Sequence, residues 1–232
     1  MNWNKKDREK ILTNTHDGFS NECIDGTGAE PSVNSDVAKK ITQWIEEKII
    51  TEGKIIDFGA GVGLFQDYND RENKFDVYSI EGFKNIPFIA NKEKWIIKDC
   101  GEEFEEVFNK KFDMVISFEM IEHIIEAKQE TMFNNMKLCA DRILFSIHTQ
   151  NQQDDKHCFI RDQYWWRNRL KDLFPKDEWD TYILITPTKG DPTPISKNIH
   201  NFILKSGEQI IDWGCSLLIY TEKTNIDKKI KF

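Results

Sequence analysis

The chain has 232 residues, 39% of them hydrophobic and 31% charged, with a formal net charge of −8. That balance suits a globular chain with a substantial core and argues against intrinsic disorder, while the acidic surplus repels phosphate backbones and disfavours nucleic acid as a partner. The longest apolar runs, Ile143 to Ile147 and Ser216 to Tyr220, are strand-length and fall far short of the ~18 residues that cross a bilayer, so no membrane association is expected.

The opening residues MNWNKKDREK are charged with no apolar stretch behind them, so no secretory leader is expected. Residues 1–34 are polar, and Gly26–Ser32 reads either as a lid over a ligand site or as a disordered leader. Residues 35–232 are expected to form one domain. A helix begins there with Asn34 or Ser35 as N-cap, and Val37, Ile41, Trp44, Ile45 and Ile49 recur at helical spacing. Lys54–Phe58 is a short apolar strand that runs into glycines and a second helix. Asp76–Ile80 and Trp95–Ile97 read as strands, Glu102–Asn109 as a helix, and Phe112–Phe118 as a further strand. A helix to about Ala140, the strand Arg142–Ile147 and an aromatic-rich helix Arg161–Phe174 follow. Thr181–Ile185 and Ser216–Thr221 close the series as strands, separated by an insertion holding Pro187, Pro192 and Pro194. This alternation predicts an α/β fold: a three-layer, doubly wound sheet, mostly parallel, with an antiparallel C-terminal edge hairpin.

Five cysteines, Cys23, Cys100, Cys139, Cys158 and Cys215, are scattered without a CxxC pair, which fits reduced, buried thiols and a cytoplasmic location. The basic tail Lys223–Lys231 reads as a solvated end.

The sharpest motif is Asp57-Phe-Gly59-Ala60-Gly61-Val-Gly63-Leu64, a strand ending in glycines before a helix. Such a turn lets main chain approach a ligand at the carboxyl edge of the sheet and aims free helix N–H groups at it. A dinucleotide turn would place its third glycine at position 64, where this chain has leucine, and that counts against a nicotinamide-dependent oxidoreductase. The spacing resembles the first motif of the class I S-adenosylmethionine-dependent methyltransferases. Glu81, which with Gly82 follows the second strand, can accept hydrogen bonds from both ribose hydroxyls of an adenosine. The resemblance further implies that Asp99, beside Cys100, lies near the adenine amino group. It also implies that Ser117, Phe118 and Glu119 face the methionine part of the cofactor, where a carboxylate and an aromatic face would favour a sulfonium. The expected cofactor is S-adenosyl-L-methionine.

Imidazole is the expected base for the acceptor's proton. His148 follows the fifth strand, His123 lies just after the fourth, and His157 precedes the aromatic helix with Tyr164, Trp165 and Trp166; these three are the catalytic candidates, with His16 and His200 left aside. Tyr164 to Trp166 either stack on an acceptor or pack in the core. No metal is assigned. If a helix starts at Glu119, however, Glu119, Glu122 and His123 share one face and can hold a divalent cation. Similar E-x-x-E-H segments do so in ubiquinone-type O-methyltransferases and in enzymes that cap small-RNA 3′ ends, the latter with a further histidine downstream that His148 or His157 could supply, so a metal-dependent O-methyltransferase with a quinone-like or RNA 3′-end acceptor is the alternative. The leading expectation is transfer of a methyl group to oxygen or nitrogen of a small molecule or glycan.

Overall fold

The computed structural model describes residues 35–82, 91–105, 108–149, 159–185, 216–227 and 230. The expectations for residues 1–34, for His157 and for the Pro-containing insertion lie outside them. In chain order the regular elements are α1 (Ser35–Lys48), β1 (Lys54–Phe58), α2 (Leu64–Glu72), β2 (Asp76–Glu81), β3 (Trp95–Ile97), β4 (Met114–Ser117), α3 (Glu126–Cys139), β5 (Arg142–His148), α4 (Gln163–Leu173), β6 (Trp179–Ile185) and β7 (Ser216–Lys223).

The strands form one seven-stranded sheet in the order β3-β2-β1-β4-β5-β7-β6. β1 pairs in parallel with β2 and β4, and β3 and β5 extend the parallel set on either side. β7 pairs antiparallel with both β5 and β6 and lies between them, so the last strand in sequence is interior and β6 is the edge. The order reverses at β1, where chains leave toward opposite sides and open a crevice at the strands' carboxyl ends.

Alternation along the strands assigns each side chain to one of two apolar layers. Ile55, Met114, Ile116 and Leu144 face α1 and α2, packing with Ile41, Trp44, Ile45 and Phe65. Ile56, Val115, Ile143, Phe145 and Ile147 face the other way, onto Met132, Phe133 and Met136 of α3 and Trp166 and Leu170 of α4. Each large side chain fully withdrawn from water in this way contributes about 1.5–3 kcal/mol. α4 starts where Asp162 accepts from the N–H groups of Tyr164 and Trp165, both at 2.8 Å, a charged cap of the kind that fixes a helix N-terminus.

Two local expectations fail. Residues 102–105 are not helical. Asn135 of α3 takes over their backbone groups instead, accepting from Phe104 N–H and donating to the carbonyls of Cys100 and Glu102. Phe104 then stacks on Phe58, with ring centroids 5.5 Å apart, which a helix there would have had to give up. The second failure is at Glu119, where no helix begins: its φ is 50°, in the left-handed region, and α3 starts only at Glu126 after a 3-10 turn at Ile121–His123.

Candidate active site

The glycine turn leaving β1 has three residues in the left-handed region, Gly59 (φ 69°), Gly61 (φ 54°) and Gly63 (φ 81°). Gly59 and Ala60 donate to Ile80 O at 2.9 and 3.2 Å, which folds the turn back over the end of β2. Gly63 caps α2, and Leu64 behind it is buried in the core. The glycines have different neighbours. A Cβ on Gly59 would sit 2.3 Å from Met120 Cγ, whereas one on Gly61 would meet no atom of the described residues within 4 Å. Gly59 is therefore bare to admit the protein, and Gly61 borders open space wide enough for main chain to receive a ligand.

Acids surround that space. Glu81 ends β2 and its Oε2 accepts from Gly61 N–H at 3.1 Å. Asp57, at the end of β1, is buried, and that burial, with Glu81 adding to it, pushes its carboxyl well above the usual range. Gly82 lies against β3's exit, where a Cβ would make only ordinary contact with Asp99 Cα at 3.6 Å. Burial opposes the charge on Asp99, but the Gly101 amide and the Lys128 ammonium hold its carboxyl below the ordinary value. Cys100 is buried and its thiol is pushed well up by burial, which leaves it inert.

Of the β4 candidates, Ser117 and Phe118 are turned to structural work. Ser117 Oγ donates to Phe58 O at 3.1 Å, tying β4 to β1, and Phe118 is buried in the layer under α1. Glu119 behaves differently. Its N–H donates to Ser146 Oγ at 2.8 Å and its Oε1 accepts from the same hydroxyl at 2.6 Å. Its Oε2 lies 3.6 Å from His148 Nδ1.

Glu119, Glu122 and His148 each offer a ligand atom within 4.8 Å of the others. His123 is not in that group, because the helix on which its shared face with Glu119 and Glu122 depended does not begin at Glu119. The left-handed kink at Glu119 destroys the i, i+4 relationship, and β5 supplies the imidazole instead. Glu122 is 1% exposed, and among the described residues neither of its carboxyl oxygens has a hydrogen-bond partner. Burial first, and the Glu119 carboxylate second, push Glu122 well above the usual carboxylate range, against a smaller pull downward from the backbone N–H groups of Glu122 and His148 that face it. Phe159 N–H donates to Glu122 O at 3.0 Å, bringing the start of α4 against this group. There Trp166 is fully buried in the core, while Trp165 is half-buried and packs edge-on to Phe159 at 5.2 Å.

Ser146 is the site residue the sequence does not announce. The available signal is a hydroxyl inside the apolar strand Phe145-Ser-Ile-His148, two positions before the imidazole. A separate cavity of about 550 Å³ lies between the ends of α3, α4 and β6 and shares no residue with the site. Its lysines are engaged, Lys110 Nζ with Lys137 O at 2.7 Å and Lys223 Nζ with Glu178 Oε2 at 2.8 Å.

A family model described as a methyltransferase domain matches residues 33–182. In structure the chain is similar to the small RNA methyltransferase HEN1, with 14% identity and a TM-score of 0.57 over 91% of this chain and 28% of that one. It therefore spans under a third of HEN1's length. It is also similar to the N-terminal domain of EvdMO1 solved with SAH bound, with 12% identity, a TM-score of 0.57 and coverage of 94% and 97%. A SAM-dependent methyltransferase from Archaeoglobus fulgidus shares 11% identity and a TM-score of 0.52 over 82% of this chain and 92% of that one. No curated protein sequence matches this one. The chain belongs to the methyltransferase-domain family and shares the fold of these methyltransferases. No helix among the described residues is long and apolar enough to cross a membrane.

Proposed function

We propose that this chain transfers a methyl group from S-adenosylmethionine to an oxygen or nitrogen of a small-molecule or glycan acceptor, with residues 35–232 acting as one catalytic unit. The observation that carries the cofactor assignment is the open space over Gly61 beside the Glu81 carboxylate. When bound there, the cofactor supplies an electrophilic methyl on a sulfonium. Glu81 accepts from the ribose hydroxyls. Asp57, Gly59, Ala60, Gly61 and Gly63 line the amino-acid and ribose side, and Gly82, Asp99 and Cys100 the adenine side. Among the β4 candidates, Glu119 is the one disposed toward the methionine end. Its Oε2 lies 3.6 Å from His148 Nδ1, where it pairs with the ring once protonated, and His148 is the base that takes the acceptor's proton as the methyl is transferred. His157 and His123 remain secondary candidates on the acceptor side. The preference for a small-molecule or glycan acceptor over nucleic acid is supported by the net charge of −8 and by the carboxylates at the crevice, which repel a phosphate backbone. Calorimetric titration should show binding of S-adenosylhomocysteine and none of NAD or NADP. Heat with the nicotinamides alone would reverse the assignment, and turnover on a panel of sugars, phenols and amines against nucleotides and RNA names the acceptor class.

A second reading is favoured by the Glu122 carboxyl, which is buried without a partner next to Glu119 and His148. Two carboxylates and an imidazole are a donor set suited to magnesium or manganese, and a cation would satisfy carboxyl oxygens that no described residue bonds in ordinary geometry. The acceptor would then be an oxygen nucleophile of the quinone-like or RNA 3′-end kind. Manganese titration followed by electron paramagnetic resonance decides between the readings: binding that Glu122→Gln abolishes supports the cation, and the free-ion spectrum throughout supports His148 as an unaided base.

A further inference from the structure

Asp99 is held more firmly than a turn residue needs to be. It follows β3 directly, where Lys98 N–H donates to Glu81 O at 3.0 Å and so sets the turn against the ribose acid. One carboxylate oxygen, Oδ1, accepts from Gly101 N–H at 2.8 Å. The other, Oδ2, accepts from Lys128 Nζ at 3.0 Å, and the same ammonium also bonds Glu102.

Lys128 lies in the first turn of α3. A cation there opposes the helix dipole, which favours acids at the N-terminus. The lysine therefore gains nothing from its own helix, and its stabilisation comes from the two carboxylates across the gap. Its route to them depends on Gly101. A Cβ on that residue would sit 3.0 Å from both Cβ and Cδ of Lys128 and 3.3 Å from Asp99 Oδ1. Gly101 is not among the positive-φ glycines, so clearance for the lysine stem, not backbone conformation, is what its bare Cα provides. Gly101 and Lys128 together fix both oxygens of Asp99 while leaving each with acceptor capacity.

We propose that Lys128 is a positioning residue that makes the cofactor site selective for a purine bearing an exocyclic amino group over one bearing an oxo group. This rests on the assignment of Asp99 to the adenine side. An amino group donates to a fixed carboxylate, whereas an oxo group sets lone pairs against it, so selectivity grows with how rigidly the carboxylate is held. A loose Asp99 turns away from the oxo purine and the penalty fades.

The test is calorimetry with S-adenosyl-L-homocysteine and S-inosyl-L-homocysteine on the full chain, comparing wild type with K128M, K128R and G101A. The wild type favours the adenosyl ligand. K128M lowers that preference about three- to fivefold, as loss of a partly exposed charged pair allows, with a smaller change for the inosyl ligand. K128R, whose guanidinium still reaches both carboxylates, restores most of the preference. G101A reproduces K128M because its methyl displaces the lysine stem, and it also keeps the test open if K128M folds poorly. Unchanged preference in K128M and G101A overturns the proposal, as does equal loss of both ligands, which would mark Lys128 as structural only. A wild type that binds both ligands alike overturns the Asp99 assignment and the proposal with it, while binding of neither ligand removes the cofactor site itself.

Discussion

Glu122 and Glu222 are both carboxyls shut away from water, at 1% and 0% exposure, yet the protein treats them in opposite ways. Glu222, on β7 in the antiparallel part of the sheet, accepts from Tyr220 Oη at 2.9 Å and from Ile230 N–H at 3.3 Å. Around it Tyr182 stacks on Tyr220 at 6.1 Å, and Thr181 meets Thr221 at 3.0 Å. Glu122, at the carboxyl edge of the parallel strands, has among the described residues no partner in ordinary hydrogen-bond geometry, only two backbone N–H groups turned toward it, and another carboxylate beside it. Burial of a polar group costs free energy unless its hydrogen bonds are replaced. At Glu222 the fold replaces them; at Glu122 it carries the cost, which is what a group kept for an incoming partner looks like. The antiparallel edge is built to be finished, and the parallel edge to be completed by something else.

The largest test of that contrast is at the bare glycine. Gly61→Val places a branched side chain in the open space beside Glu81, and S-adenosylhomocysteine affinity should fall by a hundredfold or more, about 3 kcal/mol. The fold should lose only the strain of a left-handed valine, about 1–2 kcal/mol. Calorimetry and a urea titration read the two effects separately, and undiminished affinity would mean the turn is not where the ligand lies. Next comes Glu222→Ala, which strands the Tyr220 hydroxyl and the Ile230 amide in the core. Stability should drop by about 2–3 kcal/mol, with S-adenosylhomocysteine affinity unchanged. A urea midpoint that stays put would show that the bonds to Glu222 do not hold the edge. Glu81→Ala should weaken cofactor binding by about 1–3 kcal/mol through lost charge-assisted hydrogen bonds. Full affinity in that variant would remove the ribose assignment.

What the sequence revealed follows the same division. The glycine turn was legible because its chemistry is local: a strand, three glycines and a helix start leave the chain few options, and Leu64 separates the cofactor classes without any fold. The parallel order was legible from alternating periods, and so was the change of direction at the end, because no crossover helix joins the last two strands. Glu102–Asn109 misled because its helical spacing is real, while Asn135, more than thirty residues away in sequence, claims the backbone groups a helix would use. The conditional helical face beyond the turn was lost for a related reason. Reading Glu119, Glu122 and His123 as one face assumed a helix, but Ser146 binds both the amide and the carboxyl of Glu119 and holds it left-handed. The register pairs Ser117 with Phe145, so Ser146 and His148 come to Glu119 across the sheet. No spacing rule within one segment contains that contact.

The smallest effect is the most discriminating, because it is one of sign. Methionine approximates glutamate in shape and has no oxygen to satisfy. At Glu222 the change removes the acceptors of Tyr220 and Ile230 and should destabilise the chain by about 2 kcal/mol. Among the described residues the Glu122 carboxyl is turned only toward the backbone N–H groups of its own residue and His148, neither in ordinary hydrogen-bond geometry, so its removal should stabilise by about 1 kcal/mol, and turnover is lost with it if a cation is needed. Opposite signs for one substitution at two equally buried carboxyls would separate a group the fold uses from one it only shelters. Should Glu122→Met destabilise as Glu222→Met does, Glu122 would have partners in the working protein, and its place in the reacting group would have to be given up in favour of Glu119 and His148 alone.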